Sequence, residues 1–163
     1  MALSAWRTRR RRPLRKLLLL SVSVVLCCWL TIKGLQTAAS AGRSEAAEKV
    51  VDEFYRLEQG GDYGSSWELF HSAMKEKYPK DKYIQGRAHI FMQDLQTGTF
   101  EYTIGKSKEI DGFRLKDEET AWDRVYSVEV TQSFDTLYGP IEMVQTCYAA
   151  KENGSWSFLW KLD

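Results

Sequence analysis

Sixteen consecutive uncharged residues, Leu17 to Ile32 (LLLLSVSVVLCCWLTI), set the strongest limit on how this 163-residue chain folds. As a helix they span about 24 Å, against a bilayer hydrocarbon core of about 30 Å. Lys16 and Lys33 flank the stretch and can extend it by snorkelling. Seven basic residues (Arg7, Arg9, Arg10, Arg11, Arg12, Arg15, Lys16) precede it, and no acidic residue occurs before Glu45. A helix buried in a soluble core has no use for such a flank. Two readings remain. In the first, residues 17–33 are a retained signal anchor with the basic segment 1–16 cytoplasmic and the remainder extracytoplasmic. In the second they are the apolar part of a cleaved signal peptide, with Ala39-Ser40-Ala41 before Gly42 as the small-residue site, and the product is secreted. The pair Arg11-Arg12 is a poor twin-arginine signal, because pairs are unavoidable in an arginine run.

The charge is divided as sharply as the hydropathy. Residues 1–43 carry nine Lys and Arg and no acid, whereas residues 44–163 carry all 22 acidic residues against 14 basic ones. A domain with a net charge of −8 is repelled by nucleic acid and by anionic headgroups, so the arginine run is no sign of nucleic-acid binding by the folded part. Of the three cysteines, Cys27 and Cys28 lie in the apolar stretch and only Cys147 lies beyond it. The domain therefore has no internal disulfide and depends on its core, with Cys147 expected inside it.

Residues 34–43 (GLQTAASAGR) are small and polar and predict a linker, with Ser44 as the N-cap of a first domain helix. Apolar residues then recur at Ala47, Val50, Val51, Phe54, Tyr55 and Leu57, and Gly60-Gly61 ends the helix. A second helix is expected from Asp62 to just before Pro79, carrying Trp67, Phe70 and Met74 inward. A third is expected from Lys80, with Ile84, Ala88, Phe91, Met92 and Leu95 on one face and Gly98 at its end. From Phe100 the period becomes two. Four strands are expected: around 100–104, at 120–134, at 141–149, and after the hairpin signal Asn153-Gly154, with a turn at Asp111-Gly112. Helices first and antiparallel strands afterwards give an α+β domain over 44–163, with N-terminal helices packed on a curved, cone-shaped antiparallel sheet and one transmembrane or signal helix in front.

Glu48–Asp62 (EKVVDEFYRLEQGGD), followed by Trp67-Glu68-Leu69-Phe70-His71 and the ending Asn153-Gly154-Ser155-Trp156-Ser157-Phe158-Leu159-Trp160, resembles the nuclear transport factor 2-like superfamily, in its exported or membrane-anchored bacterial members. The resemblance implies a cone with a pocket at its open end, and it covers essentially the whole domain. The family contains isomerases and dehydratases beside non-catalytic members that attach to envelope enzymes or secretion machines, so the fold alone names no activity. Its isomerases carry a catalytic tyrosine eight residues before the Asp of the Gly-Asp pair. Here that position is Phe54, which has no hydroxyl.

The chain has two histidines, His71 and His89. Glu68-x-x-His71 has the spacing of a di-iron ligand pair but stands alone, without the second motif and further carboxylates such a site needs. Asp117-Glu118-Glu119 reads as a solvated turn. No catalytic, cofactor or metal constellation emerges. Trp67, His71, Tyr102, Tyr126, Met143 and Trp160 are the candidate pocket lining for an apolar or extended ligand, against the plainer expectation that bulky residues fill the cone. The expectation is an extracytoplasmic non-catalytic interaction or ligand-binding domain, attached to the membrane through residues 17–33. It would serve an envelope or secretion assembly, with an envelope protein or a second copy of the chain as partner. The rival expectation is a small-molecule lyase or isomerase using the cone pocket.

Overall fold

A computed structural model describes residues 11–115, 122 and 124–161, with side chains from residue 23 onward. The acidic turn Asp117-Glu118-Glu119 lies outside them. The chain divides into two units, Met1–Ala41 and Gly42–Asp163.

Helix α1 (Arg11–Gln59) supplies the first unit and the start of the second. One helix near the N-terminus is long and apolar enough to cross a membrane, and Val24, Val25, Leu26, Trp29, Leu30 and Ile32 are all exposed on it. Residues 34–43, expected as a linker, are helical, and Ser44 lies inside the helix rather than capping it. The polar residues there satisfy themselves locally. Thr37 and Ser40 donate to the carbonyls of Lys33 (2.9 Å) and Thr37 (2.8 Å), the back-bonding that lets hydroxyl side chains sit within a helix.

The expected stripe holds from Ala47 to Tyr55: Ala47, Val50, Val51, Phe54 and Tyr55 are buried. At the next turn the buried residue is Glu58, and Leu57 is only half-buried. The helix ends as its Gly-Gly predicts. Asp62 N–H donates to Leu57 O (2.9 Å) and Gly61 N–H to Glu58 O (3.0 Å), with Gly61 left-handed at φ 75°.

The single second helix expected is two: α2 (Tyr63–Glu68) and α3 (Ser72–Lys77). Asp62 caps the first through Ser65 N–H and His71 caps the second through Ala73 N–H. Between them, Phe70 lies parallel to Phe158. His71 N–H donates to Phe158 O (3.0 Å) and Phe158 N–H to Leu69 O (2.7 Å). The last strand's outer edge needs these partners, and a backbone that supplies them cannot stay helical. Helix α4 (Lys80–His89) continues into a π-helical turn (Ile90–Asp94) closed by Leu95 N–H on Ile90 O at 2.8 Å. The wider turn shifts the phase of the stripe. Tyr83 and Phe91 are buried and Met92, expected inward, is 72% exposed.

The sheet is antiparallel and open, in the order β1-β3-β4-β5, with β2 also on β3. Its strands are β1 (Glu101–Ile104), β2 (Lys108–Ile110), β3 (Val125–Thr136), β4 (Gly139–Glu152) and β5 (Ser155–Leu159). It has five strands rather than the four expected, because β1 and β2 share one edge of β3 and are interrupted at Gly105–Ser107. Gly105 N–H donates to Glu129 O at 2.7 Å, and a Cβ on Gly105 would lie 3.4 Å from that oxygen. The interruption turns Ser107 N–H (2.9 Å) and Lys106 Nζ (3.0 Å) onto Glu48 of α1. The Ser107 amide, with Lys106 adding to it, holds the Glu48 carboxyl below the usual carboxylate range. Asn153-Gly154 forms the expected two-residue hairpin, both residues at positive φ, with Glu152 paired to Ser155.

The α+β class is therefore observed. Between helices and sheet lies a chiefly aromatic core. Phe54 stacks on Phe158 with ring centroids 3.8 Å apart, and Phe91 on Phe100 at 5.5 Å.

Candidate functional site

Five of the domain's 14 basic residues fall in the short stretch from Lys75 to Arg87. In a domain of net acidic charge that density marks a local exception. Lys75 and Lys80 are spent on Glu68, at 3.5 and 2.5 Å, and both cover the face of Trp67. The other three, Lys77, Lys82 and Arg87, line a cavity of about 290 Å³ formed by the end of α3, Pro79, α4 and Trp160.

Tyr78, Tyr83, Ile90 and Trp160 give the cavity its apolar walls. Trp160 comes from just beyond β5 and is fixed by edge-on packing against Phe54 (5.6 Å), Phe70 (5.2 Å) and Phe158 (5.5 Å). Tyr83 and Arg87 are fixed from behind by Glu58, whose side chain is fully buried. Glu58 accepts from Tyr83 Oη at 2.7 Å, from Arg87 Nε at 2.5 Å and from Ser66 Oγ. Burial and the Glu58 charge push the Tyr83 phenol far above its usual range, so it stays a donor. Arg87 is thereby neutralised. Lys77 and Lys82 are exposed and, among the described residues, have no acidic partner; Lys77 Nζ lies 5.5 Å from the Tyr78 ring centre.

A second polar group sits between α1 and β4. Tyr55 Oη lies 3.3 Å from Gln145 Oε1 and 3.1 Å from Cys147 Sγ. Burial raises both acids, the Cys147 thiol to about 12, and it pushes the Tyr55 phenol well above its ordinary range. Neither ionises near neutrality, so the pair supplies neither a nucleophile nor a base.

His71 belongs to a third group. Its Nδ1 caps α3, its Nε2 lies 3.7 Å from Glu152, and its ring lies 4.5 Å from that of Trp122. Burial, only partly offset by Glu152, holds the imidazole below its ordinary value of 6.5. For a depressed histidine the unfolded chain takes up the proton first. The stability it contributes is present above about pH 6.5 and is lost as pH falls through the lower folded value. Protonation of Nδ1 also removes the acceptor for Ala73 N–H. The melting temperature of the full chain should therefore fall between pH 7 and pH 5.5, and His71→Asn, which keeps a capping oxygen and does not titrate, should flatten that slope. An equal slope in His71→Asn would place the titration elsewhere. Glu152 is itself held low by Ser72 N–H and His71 against the opposing effect of burial, so its loss comes in a separate, more acidic window.

Of the six candidate lining residues, Trp160 lines the cavity. Trp67 braces it, donating Nε1–H to Tyr78 O at 2.7 Å. The other four do not line it. Tyr102 donates to Asp52 (3.0 Å), Tyr126 lies against Glu109 (3.0 Å) and Arg43 (3.2 Å), and Met143 is 42% exposed on β4. Glu68 and His71 turn to different partners, Lys80 and Glu152, and among the described residues no group of three or more His, Cys, Asp or Glu could hold a metal ion. Sequence reasoning passed over every other cavity residue, among them Lys77, Tyr78, Lys82, Tyr83, Gly86 and Arg87. The lysine density of residues 75–87 was the available signal.

Comparison with known proteins finds no matching family model and no matching curated protein.

Proposed function

We propose that the chain is a membrane-anchored, extracytoplasmic binding domain of nuclear transport factor 2-like type, non-catalytic, and an accessory of an envelope or secretion assembly. One observation carries the binding role: the buried Glu58 behind the cavity is tied up in hydrogen bonds while the cation-rimmed cavity stays open in front of it. Phe54 supports the non-catalytic part, since it is fully buried against Phe158 where the family's isomerases present a tyrosine. Helices preceding an open antiparallel sheet suit the fold family. The helix continues without interruption through Ala39-Ser40-Ala41, and helical backbone is a poor protease substrate, which supports a retained anchor.

The orientation follows from the basic segment, which stays on the cytoplasmic side. Alkaline phosphatase fused after Asp163 should be active, and a fluorescent protein that matures only in the cytoplasm should be dark at the same position. The reverse pattern overturns the localisation. Crosslinking in living cells from the exposed side chains of Lys77 and Lys82 should trap an envelope component.

A further inference from the structure

We infer that the cavity between α3, α4 and Trp160 binds a small amphiphilic anion: a flat apolar body of about two fused rings bearing one carboxylate. This rests on the reading of the domain as a binding module and names its ligand class. The walls set the body. Tyr78, Tyr83, Trp160 and Ile90 offer aromatic and aliphatic surface, and about 290 Å³ is at the small end of ligand pockets. The rim sets the charge. Lys77 and Lys82 are both without an acidic partner among the described residues; the acids beside them in sequence, Glu76 on α3 and Asp81 in the first turn of α4, are exposed and do not line the cavity. Arg87 adds no free charge, because Glu58 holds it. Elsewhere the domain repels anions, so a carboxylate is drawn to this rim in preference to the rest of the surface.

Gly86 carries the inference further. It lies within α4 and lines the cavity, and glycine weakens a helix relative to alanine. Packing does not require it: nothing lies within 4 Å of where its Cβ would be, and its φ is not left-handed. What the missing side chain leaves is open cavity wall. A larger residue there would occupy the space without straining the helix.

The test uses the full chain in phosphatidylcholine nanodiscs, titrated with 2-naphthoate and followed by tryptophan fluorescence and equilibrium dialysis against empty discs. Saturable binding of one molecule per chain is expected, weaker in high salt and weaker for the uncharged 2-naphthalenemethanol. Gly86→Leu should abolish it while melting no lower than the parent chain. Lys77→Ala with Lys82→Ala, both at exposed positions, should weaken it about five- to tenfold. No saturable binding, or binding indifferent to Gly86→Leu, overturns the site and leaves the non-catalytic reading standing. Equal affinity for the uncharged analogue overturns the anion preference. Conversion of the probe to another compound, seen by chromatography, supports the site and overturns the non-catalytic reading.

Discussion

Glu58→Ala is expected to destabilise the domain by about 3–5 kcal/mol, the range for removing one member of a buried ion pair. The carboxylate has no exposed surface and serves three donors from two helices: Ser66 of α2, and Tyr83 and Arg87 of α4. Without it the largely buried Arg87 guanidinium and the Tyr83 hydroxyl lose their acceptor, while Ser66 Oγ keeps its bond to Tyr63 O at 3.2 Å. Arg87 keeps its place 4.7 Å from the centre of the Phe91 ring. Since a domain of this size is stable by roughly 5–15 kcal/mol, the loss should bring the variant close to unfolding. Glu58→Gln keeps the shape and one good acceptor, so it should fall between. Glu53→Ala, which removes an exposed pair with Arg56, should leave the urea midpoint where it was. Urea unfolding of the full chain measures all three, and a Glu58→Ala midpoint equal to that of Glu53→Ala would show that the carboxylate is hydrated rather than buried.

Phe54→Ala should be as damaging, at about 3–5 kcal/mol, for a different reason. Its ring lies flat on Phe158, 3.8 Å between centroids and 4° from parallel. Tyr55 and Trp160 meet it edge-on at 5.4 and 5.6 Å, and Phe70 lies at 5.4 Å. Removing the ring opens a hole at the meeting point of α1, β5 and the Leu69–His71 segment, and neighbours so tightly placed cannot close it. Trp67→Ala should cost less. Trp67 is half-buried, and its indole serves mainly to hold the Tyr78 carbonyl and to underlie two lysines. The same urea series orders them. If Trp67→Ala unfolds before Phe54→Ala, the α2–α3 end carries more of the stability than its exposure allows.

The parts of this fold that were legible in sequence are those decided by neighbours along the chain. The Ala47–Tyr55 stripe, the Gly-Gly stop and the Asn153-Gly154 hairpin depend on periodicity and on backbone preferences that a few residues express. The departures all have a distant partner. Leu69–His71 left the helix because the edge of β5 needed a backbone to pair with, and β5 lies almost ninety residues away. Glu58 reads as a surface acid until α4 folds back and brings Tyr83 and Arg87 onto it. Residues 34–43 read as a linker because small polar residues suit loops, yet the same hydroxyls bond equally well to their own helix. For the site, Trp160 was expected among the lining of a pocket in the cone, and it stands at the wall of the cavity beside α3 and α4. The lysines and Gly86 opposite it were passed over because nothing in their local pattern says which way α4 faces.

The buried thiol of Cys147 gives the molecule a built-in clock. Raised to about 12 and hydrogen-bonded to Tyr55, it is protonated and enclosed, so a thiol reagent reaches it only when β4 parts from α1. Cys27 and Cys28 are exposed in the apolar helix, and a lipid bilayer around them would slow water-borne reagents there. In Cys27→Ser with Cys28→Ser, the rate at which an aqueous maleimide labels the chain would then report how often the domain opens, without denaturant and without leaving the membrane.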